Sequence, residues 1–142
     1  MKIKQIQEDL VDEFAMFEDW MQRYEYMIDL GKSLPLIDSK YKTEDYLIKG
    51  CQSKVWVQAE LIDNKIIFKA DSDAIISKGI IAILIRVFSN QVPNEIIKAN
   101  TGFIDEIGLK EHLSPNRANG LSSMIKQLKL YALAYQTKIN NE

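Results

Sequence analysis

The stretch from residue 55 to residue 70 constrains the fold most, because its apolar residues alternate whereas those on either side recur every three or four positions. In "VWVQAELI", the residues at every second position from Val55 are apolar and lie on one face, as in a half-buried strand. The pair Asp63–Asn64 is typical of a tight turn, and "KIIFKA" returns as the partner strand of an antiparallel hairpin. "YLIK", residues 46–49, is predicted to add a third strand.

The residues before this hairpin have the periodicity of helices. Apolar residues from Ile3 to Ile28 follow one another at steps of three or four, which predicts helices over residues 3–31. A break is expected near Asp19, which precedes Gln22 by three residues and so gives a capping signal for a second helix.

A buried helix is predicted directly after the hairpin. Asp71, Ser72 or Asp73 is expected to cap it, since short polar side chains satisfy the first free N–H groups of a helix. Its apolar residues lie all round and continue to about Phe88, as in a helix covered by the rest of the protein.

Two short helices and one long amphipathic helix are predicted beyond it. Pro93 suits the first position of the first, Gly108 suits the end of the second, and the third follows "SPNRANGL". The order helix, sheet, helices predicts a single α+β domain over residues 1–142, with a small antiparallel sheet of three strands packed against helices. The sheet is expected at about 45–71 and the C-terminal helices at 73–136.

Composition and charge exclude several classes of protein. With 142 residues, of which 46% are apolar and 27% charged, the chain is long enough for one packed domain. The net charge of −2 lacks the basic excess of nucleic-acid-binding proteins. The most apolar run, Gly79–Ile85, is too short to span a bilayer, and the acidic N-terminal stretch is unlike a secretory signal. We therefore expect a cytoplasmic protein with neither nucleic acid nor membrane as a partner.

The charges are unevenly distributed along the chain. Residues 1–30 carry eight acidic and three basic side chains, whereas residues 110–142 carry five basic and two acidic ones. Such asymmetry can orient a protein partner, and attraction between two helices of the same chain explains it more simply.

The chain has one cysteine, Cys51, in "KGCQSKVW". One thiol excludes an internal disulfide, a CxxC redox pair and a four-thiolate zinc or iron–sulfur site. The predicted elements place it in the turn between two strands, a polar setting suited to a reactive thiol. The alternative is a buried cysteine that only fills space in the core.

The neighbours of the cysteine fit the reactive interpretation. Lys49 and Lys54 would favour the thiolate, which is the nucleophilic form. Gly50 relieves the steric limits on the turn. Gln52 and Ser53 offer amide, hydroxyl and backbone N–H donors that could hold a sulfur anion.

Other candidate sites are weaker. His112, the only histidine, could pair with the thiol in a hydrolase, although no motif links the two. Asp71 and Asp73 have no further ligands at the spacing of a metal-binding loop, so no metal site is predicted. Arg117 and Asn119 flank the start of a predicted helix, where an arginine could meet a carboxylate or a sulfur anion.

Four blocks in the same order resemble the SufE family of sulfur-acceptor proteins, which includes CsdE. They are "RYEYMIDLGKSLP", "GCQSKVW", "ADSDA" and "GLKEHLSPNRANGL", and the resemblance extends from about Asp19 to Leu130. It implies an α+β fold similar to that of the scaffold IscU, with three antiparallel strands and helices packed on them.

The resemblance also implies a function. Members of the family accept sulfur from the persulfide of a pyridoxal-phosphate cysteine desulfurase of the SufS or CsdA type and stimulate that enzyme. They pass the sulfur on to the SufBCD scaffold, which assembles iron–sulfur clusters. The resemblance places the acceptor at Cys51 and the arginine of the "R-x-N-G-L" block at Arg117. The Asp-Ser-Asp segment of the family falls on residues 71–73, and Ala118 stands where a serine is frequent.

These implications define what the chain itself would supply. Pyridoxal phosphate belongs to the desulfurase, so the protein is expected to hold no cofactor and to be a carrier and activator rather than a stand-alone enzyme. A single thiol can carry sulfur but cannot alone build the thiolate cage of a cluster. Two alternatives stay open: a module that activates the desulfurase without covalent chemistry at Cys51, and a hydrolase that uses Cys51 with His112.

Overall fold

The computed structural model describes residues 2–141, which form seven helices and one two-stranded sheet. In chain order the elements are α1 (Ile3–Ala15), α2 (Trp20–Lys32), β1 (Val55–Ile62), β2 (Lys65–Ser72), α3 (Ile75–Phe88), α4 (Pro93–Lys98), α5 (Phe103–Ile107), α6 (Leu109–His112) and α7 (Pro115–Asn140). Two short 3₁₀ turns, Ser39–Tyr41 and Glu44–Tyr46, lie between α2 and β1. The predicted α+β class is confirmed.

Strands β1 and β2 form the predicted antiparallel hairpin. It pairs Val55 with Ser72 at one end and Ile62 with Lys65 at the other. The aspartate and asparagine that connect the strands have φ angles of 52° and 65°. Two positive φ angles in succession define the type I′ turn, whose twist matches that of a hairpin. The alternating pattern and the turn pair were therefore sufficient to locate this element.

The predicted third strand is wrong. The chain forms a 3₁₀ turn as far as Tyr46, and the next residue, Leu47, makes only an isolated bridge to Trp56. The Ile48 N–H donates to the Val55 carbonyl over 2.8 Å, and then the cysteine turn begins. Two extended residues between a 3₁₀ turn and another turn are too few to form a ladder, so the apolar pattern of "YLIK" leads to an edge contact instead.

The capping signals gave one correct and one incorrect prediction. Asp19 caps α2 as predicted, because its side chain accepts from the Gln22 N–H over 2.8 Å. Helix α3 begins after Ala74, which makes no side-chain cap, so the predicted cap at residues 71–73 is wrong. Strand β2 continues to Ser72, and the three side chains bind elsewhere: Asp71 forms ion pairs with Lys42 and Lys78 at 2.6 and 3.3 Å, and Ser72 and Asp73 bind the backbone of Lys54.

Helix α3 is the centre of the core. Ten of its 14 residues are buried, which agrees with its apolar residues on every side. Helix α2 approaches it most closely at Gly31 and Gly79, where a Cβ on Gly31 would lie 3.1 Å from the backbone nitrogen of Gly79. The fully buried side chains of the sheet, among them Val57 and Phe68, face the same core.

Three of the remaining helix boundaries follow the predicted signals. Helix α3 ends at Phe88, α4 begins with Pro93, and α5 ends at Ile107 with Gly108, whose φ is 91°, as its C-cap. Helix α6 was not predicted, and α7 begins at Pro115, inside the stretch "SPNRANGL" that was expected to precede it. Helix α7 continues to Asn140, four residues beyond the predicted end at 136. Among residues 2–141, no helix combines the length and the apolar character needed to cross a membrane.

Candidate functional site

The cysteine lies in a loop, residues 49–54, that leads into β1 at the end of the hairpin away from the type I′ turn. Gly50 has a φ of 91°, in the left-handed region that favours glycine. A Cβ on Gly50 would lie 2.4 Å from Oγ of Ser123 in α7, closer than two unbonded atoms can come. The loop therefore needs glycine both for its backbone angle and for its approach to α7.

Cys51 is half-buried between this loop and the first turns of α7. Its thiol lies against the Gly120 carbonyl, with Sγ 3.6 Å from the oxygen. A cavity of about 120 Å³ adjoins the sulfur. Its lining combines backbone, polar and apolar groups, from Cys51, Gln52, Ser53, Ser77, Ile80, Asn116, Arg117, Gly120 and Met124. The thiol is neither on the open surface nor in the apolar core.

The surroundings of the thiol keep it protonated. Burial raises the pKa of Cys51 above its ordinary value, because removing solvent disfavours the thiolate. Lys49 and Lys54 are exposed, and in this conformation they do not offset the loss of solvent. In this conformation the environment of Cys51 disfavours the thiolate. Formation of the nucleophilic thiolate therefore requires a change in that environment.

Ser72 and Asp73 fix the far end of the cysteine loop. The Asp73 carboxylate accepts from the Lys54 N–H over 3.0 Å, and the Asp73 N–H donates to the Lys54 carbonyl over 3.2 Å. The Ser72 hydroxyl donates to the same carbonyl over 2.8 Å. Neither residue lines the cavity, so their contribution there is to hold the loop where it joins β1.

The structure brings Arg117, Gln52 and Ser53 together with Cys51 in the lining of one cavity. Arg117 lies in the first turn of α7, where the Ser114 hydroxyl caps the helix by accepting from the Arg117 N–H over 3.3 Å. Asn119 is exposed and does not line the cavity.

Sequence reasoning missed part of the cavity wall. Asn116, Gly120 and Met124 line it from α7, and their spacing of four residues places them on one face of that helix. That spacing was visible in the sequence. Nothing in the sequence indicated that this face meets the cysteine loop, about 70 residues earlier, because only packing decides which helix covers the end of a sheet.

His112 does not belong to this site. Its ring stacks on Trp20, with centroids 4.0 Å apart, and its Nδ1 lies 3.0 Å from the Gly108 carbonyl oxygen. It does not line the cavity that holds the thiol. Within residues 2–141 there is also no cluster of three or more residues that could ligate a metal ion.

Known proteins are similar to this chain in sequence, and a solved structure is similar to it in fold. A family model described as "SufE: Fe-S metabolism associated domain" matches residues 8–132. An uncharacterised SufE-like protein of Rhizobium meliloti is 38% identical over 127 residues, which cover 86% of this chain and 91% of that protein. An uncharacterised SufE-like protein of Synechocystis is 35% identical over 127 residues, covering 89% and 80% of the two chains.

Two further comparisons define the extent of the similarity. SufE-like protein 1 of Arabidopsis thaliana, described as chloroplastic/mitochondrial, is 33% identical over 132 residues. This match covers 92% of the present chain but only 36% of the plant protein. The solution structure of a hypothetical protein from Thermus thermophilus has the same fold, with a TM-score of 0.77 at 18% identity, and the match covers 93% and 96% of the two chains.

Fold and site together define a small α+β protein whose lone thiol lies in a loop over a cavity. The chain belongs to the SufE family, whose domain is associated with iron–sulfur metabolism.

Proposed function

We propose that this protein is a sulfur carrier that accepts one sulfur atom on Cys51 from a cysteine desulfurase, stimulates that enzyme, and delivers the sulfur to the SufBCD scaffold. The observation that carries the proposal is the position of the lone thiol. In a chain of this family, Cys51 lies in a glycine-dependent loop and beside a cavity with room for an added atom. Among the residues that line the cavity, Arg117 is the one with a cationic side chain, which could pair with an anionic persulfide.

The proposed step is a thiol exchange in which atoms and charge balance. The Cys51 thiolate attacks the outer sulfur of the desulfurase persulfide, and a new sulfur–sulfur bond forms as the bond to the desulfurase cysteine breaks. The desulfurase cysteine leaves as a thiolate, and Cys51 becomes a persulfide. No external oxidant or reductant is consumed, because the outer sulfur only changes its partner.

The half-buried thiol supports this role for a physical reason. A persulfide is reactive toward solvent oxidants and other thiols, and the cavity shields the outer sulfur while the protein moves between partners. Because burial also raises the pKa of the free thiol, reaction requires the partner to draw the loop outward or to supply a base. This coupling would confine the chemistry to the complex.

The experiment is intact-mass analysis after incubation with a purified cysteine desulfurase, pyridoxal phosphate and L-cysteine. We expect the chain to gain the mass of one sulfur atom, and a thiol reductant to remove it. Cys51→Ala should gain nothing while its free energy of unfolding falls by about 1 kcal/mol, because a half-buried thiol contributes little packing.

Two results would contradict the proposal. An unchanged mass for the wild-type chain, under conditions in which the desulfurase releases sulfide, would exclude the covalent step. If Cys51→Ser still raised multi-turnover sulfide production to the full extent without a reductant, the protein would be a non-covalent activator. Hydrolysis of simple thioesters that His112→Ala abolishes would revive the hydrolase alternative, for which the structure provides no base in the cavity.

A further inference from the structure

A second concave surface lies between α4 and the middle of α7. It has a volume of about 410 Å³, and its lining is largely apolar, from Ile97, Ser122, Ile125, Lys126, Lys129, Leu130 and Leu133. Leu130 and Leu133 are 47% and 53% exposed, although leucines one helical turn apart on a face are usually covered. We call these seven residues the α7 groove. It shares no lining residue with the cysteine cavity.

The charge of the α7 groove has one sign. The 26 residues of α7 include four basic side chains and not a single aspartate or glutamate. Among residues 2–141, those that line the groove include two lysines and no acidic side chain. Within the described residues, neither Lys126 nor Lys129 forms an ion pair. The attraction between helices that could explain the uneven charge of the chain therefore does not neutralise this surface.

Of the two lysines in the α7 groove, Lys129 has the more informative surroundings. Its ammonium donates to the carbonyl oxygens of Ile97 and Ala99 at the end of α4, over 3.1 and 2.7 Å. A lysine ammonium has three N–H donors, so one remains for another acceptor. Partial burial also lowers the pKa of Lys129, because its ammonium has lost solvent. An acidic side chain at the rim would add a charged acceptor for this ammonium.

A second copy of this chain is a poor occupant for the groove. A symmetric dimer through this face would place the same patch on both sides. Lys126 and Lys129 would then face the same two lysines of the partner copy, and like charges in a desolvated interface are unfavourable. The groove instead requires a ligand that is apolar in the centre and acidic at the edges.

We propose that the α7 groove binds an acidic amphipathic helix of a protein partner. From Ser122 to Leu133 the groove spans 11 residue steps of α7, or about 17 Å, which is about three turns of a docked helix. The apolar face of that helix covers Leu130 and Leu133, and its carboxylates lie against Lys126 and Lys129. Since the cysteine cavity remains open, the partner is held while the thiol stays available, and this binding does not depend on sulfur chemistry.

The test is a fluorescence anisotropy titration of the full chain with a labelled synthetic helix of about 18 residues, long enough to form in isolation. The helix carries leucines at i, i+3, i+4 and i+7, flanked by glutamates. We expect the double variant Leu130→Gln/Leu133→Gln to bind it at least about tenfold more weakly. Lys126→Gln should weaken binding about threefold and reduce its sensitivity to salt.

Matched controls separate the groove from general surface effects. Ile62→Gln, at a residue that is 49% exposed on the hairpin, should leave the affinity unchanged. All variants should keep the wild-type unfolding midpoint and still acquire sulfur on Cys51, because the substituted side chains are exposed and outside the cavity.

Several results would overturn the proposal. The first is that the wild type does not bind the peptide. The second is that the wild type binds a peptide with lysines in place of the glutamates equally well. The third is that the double variant binds the original peptide as tightly as the wild type does. Sedimentation of the wild type as a dimer that the double variant converts to a monomer would assign the groove to a second copy. Binding to phosphatidylglycerol vesicles in place of the peptide, lost in the double variant, would assign it to a membrane.

Discussion

The turn that connects the two strands and the cysteine loop that leads into β1 lie at opposite ends of the hairpin, and they are held differently. At one end, the residues between β1 and β2 have φ angles of 52° and 65°; at the other, Gly50 has a φ of 91°. The first turn is fixed by its own strands, since Ile62 pairs directly with Lys65. The cysteine loop is fixed by side chains and backbone from elsewhere, chiefly Asp73 and Gly120.

This difference predicts that the type I′ turn is rigid and that the cysteine loop can move. A turn closed by a strand ladder opens only if the ladder opens. The cysteine loop is held at Lys54 by three hydrogen bonds, whereas its thiol makes one long contact with the Gly120 carbonyl and packs against the edge of the core. Regions with few buried contacts open at lower free energy than the core does. We therefore expect the loop to release its thiol without disturbing the hairpin.

The largest effect is expected from Gly50→Val. A β-branched residue is strained at a φ of 91°, and its Cβ would lie 2.4 Å from Ser123 Oγ, so unfolding should become about 2–3 kcal/mol easier. Because the loop must move away from α7, we expect sulfur acceptance by Cys51 to slow by at least about tenfold. Intact-mass time courses and chemical unfolding measure the two effects.

A second substitution separates the two causes of that loss. Ser123→Ala removes the hydroxyl oxygen but leaves the backbone strain, so Gly50→Ala/Ser123→Ala should be more stable than Gly50→Ala and less stable than wild type. Gly102→Val, at a glycine whose φ is −61°, is the control outside the loop and should leave sulfur acceptance unchanged. Wild-type rates in Gly50→Val would mean that the loop does not need to move.

The next largest effect is expected in the rate at which a bulky maleimide alkylates Cys51 in the folded and the unfolded chain. The thiolate is the reacting form, and burial raises the pKa of this thiol, so fewer molecules react at a given pH. At pH 7 the folded chain should react about tenfold or more slowly than the chain in urea. The rate–pH curve of the folded chain should be displaced to higher pH. Equal rates in both states would show a thiol that is already free.

A smaller effect is expected from Arg117→Ala. The side chain is exposed and lines the cavity, so the free energy of unfolding should change by less than about 0.5 kcal/mol. Stimulation of the desulfurase should fall by about fivefold, because the variant lacks the guanidinium that we propose to pair with the transferred sulfur. Lys138→Ala removes a basic residue from the last turn of the same helix and is the matched control. Equal stimulation by both variants would remove Arg117 from the site.

The smallest effect on function is expected from a substitution in the type I′ turn between β1 and β2. Asn64→Ala places an alanine at a φ of 65°, which should destabilise the fold by about 1 kcal/mol. Sulfur acceptance should be unchanged, because this turn lies at the other end of the hairpin from Cys51. Thermal unfolding and the intact-mass assay test the two halves of this prediction. A slower transfer would show that the two turns are coupled through the strands.

The sequence was informative wherever a structure depends on neighbouring residues. The hairpin and its turn, the Asp19 cap, the Pro93 start and the Gly108 stop each depend on residues a few positions apart. The predicted third strand failed for a local reason, because turns on both sides leave too few extended residues. The predicted cap of α3 failed because β2 continues to Ser72 and because Asp71 and Asp73 bind Lys42, Lys78 and Lys54 instead.

The sequence by itself determined the α+β class, the hairpin, the helix periodicity and the presence of a single thiol in a glycine-bearing turn. Only the tertiary structure decided how that thiol is held. The face of α7 that carries Asn116 and Gly120 closes over the loop, and this burial raises the pKa of Cys51 despite two lysines nearby in the chain. The physical reason is that solvation of a charge depends on everything that surrounds it in space, and helix packing brings those groups from about 70 residues away.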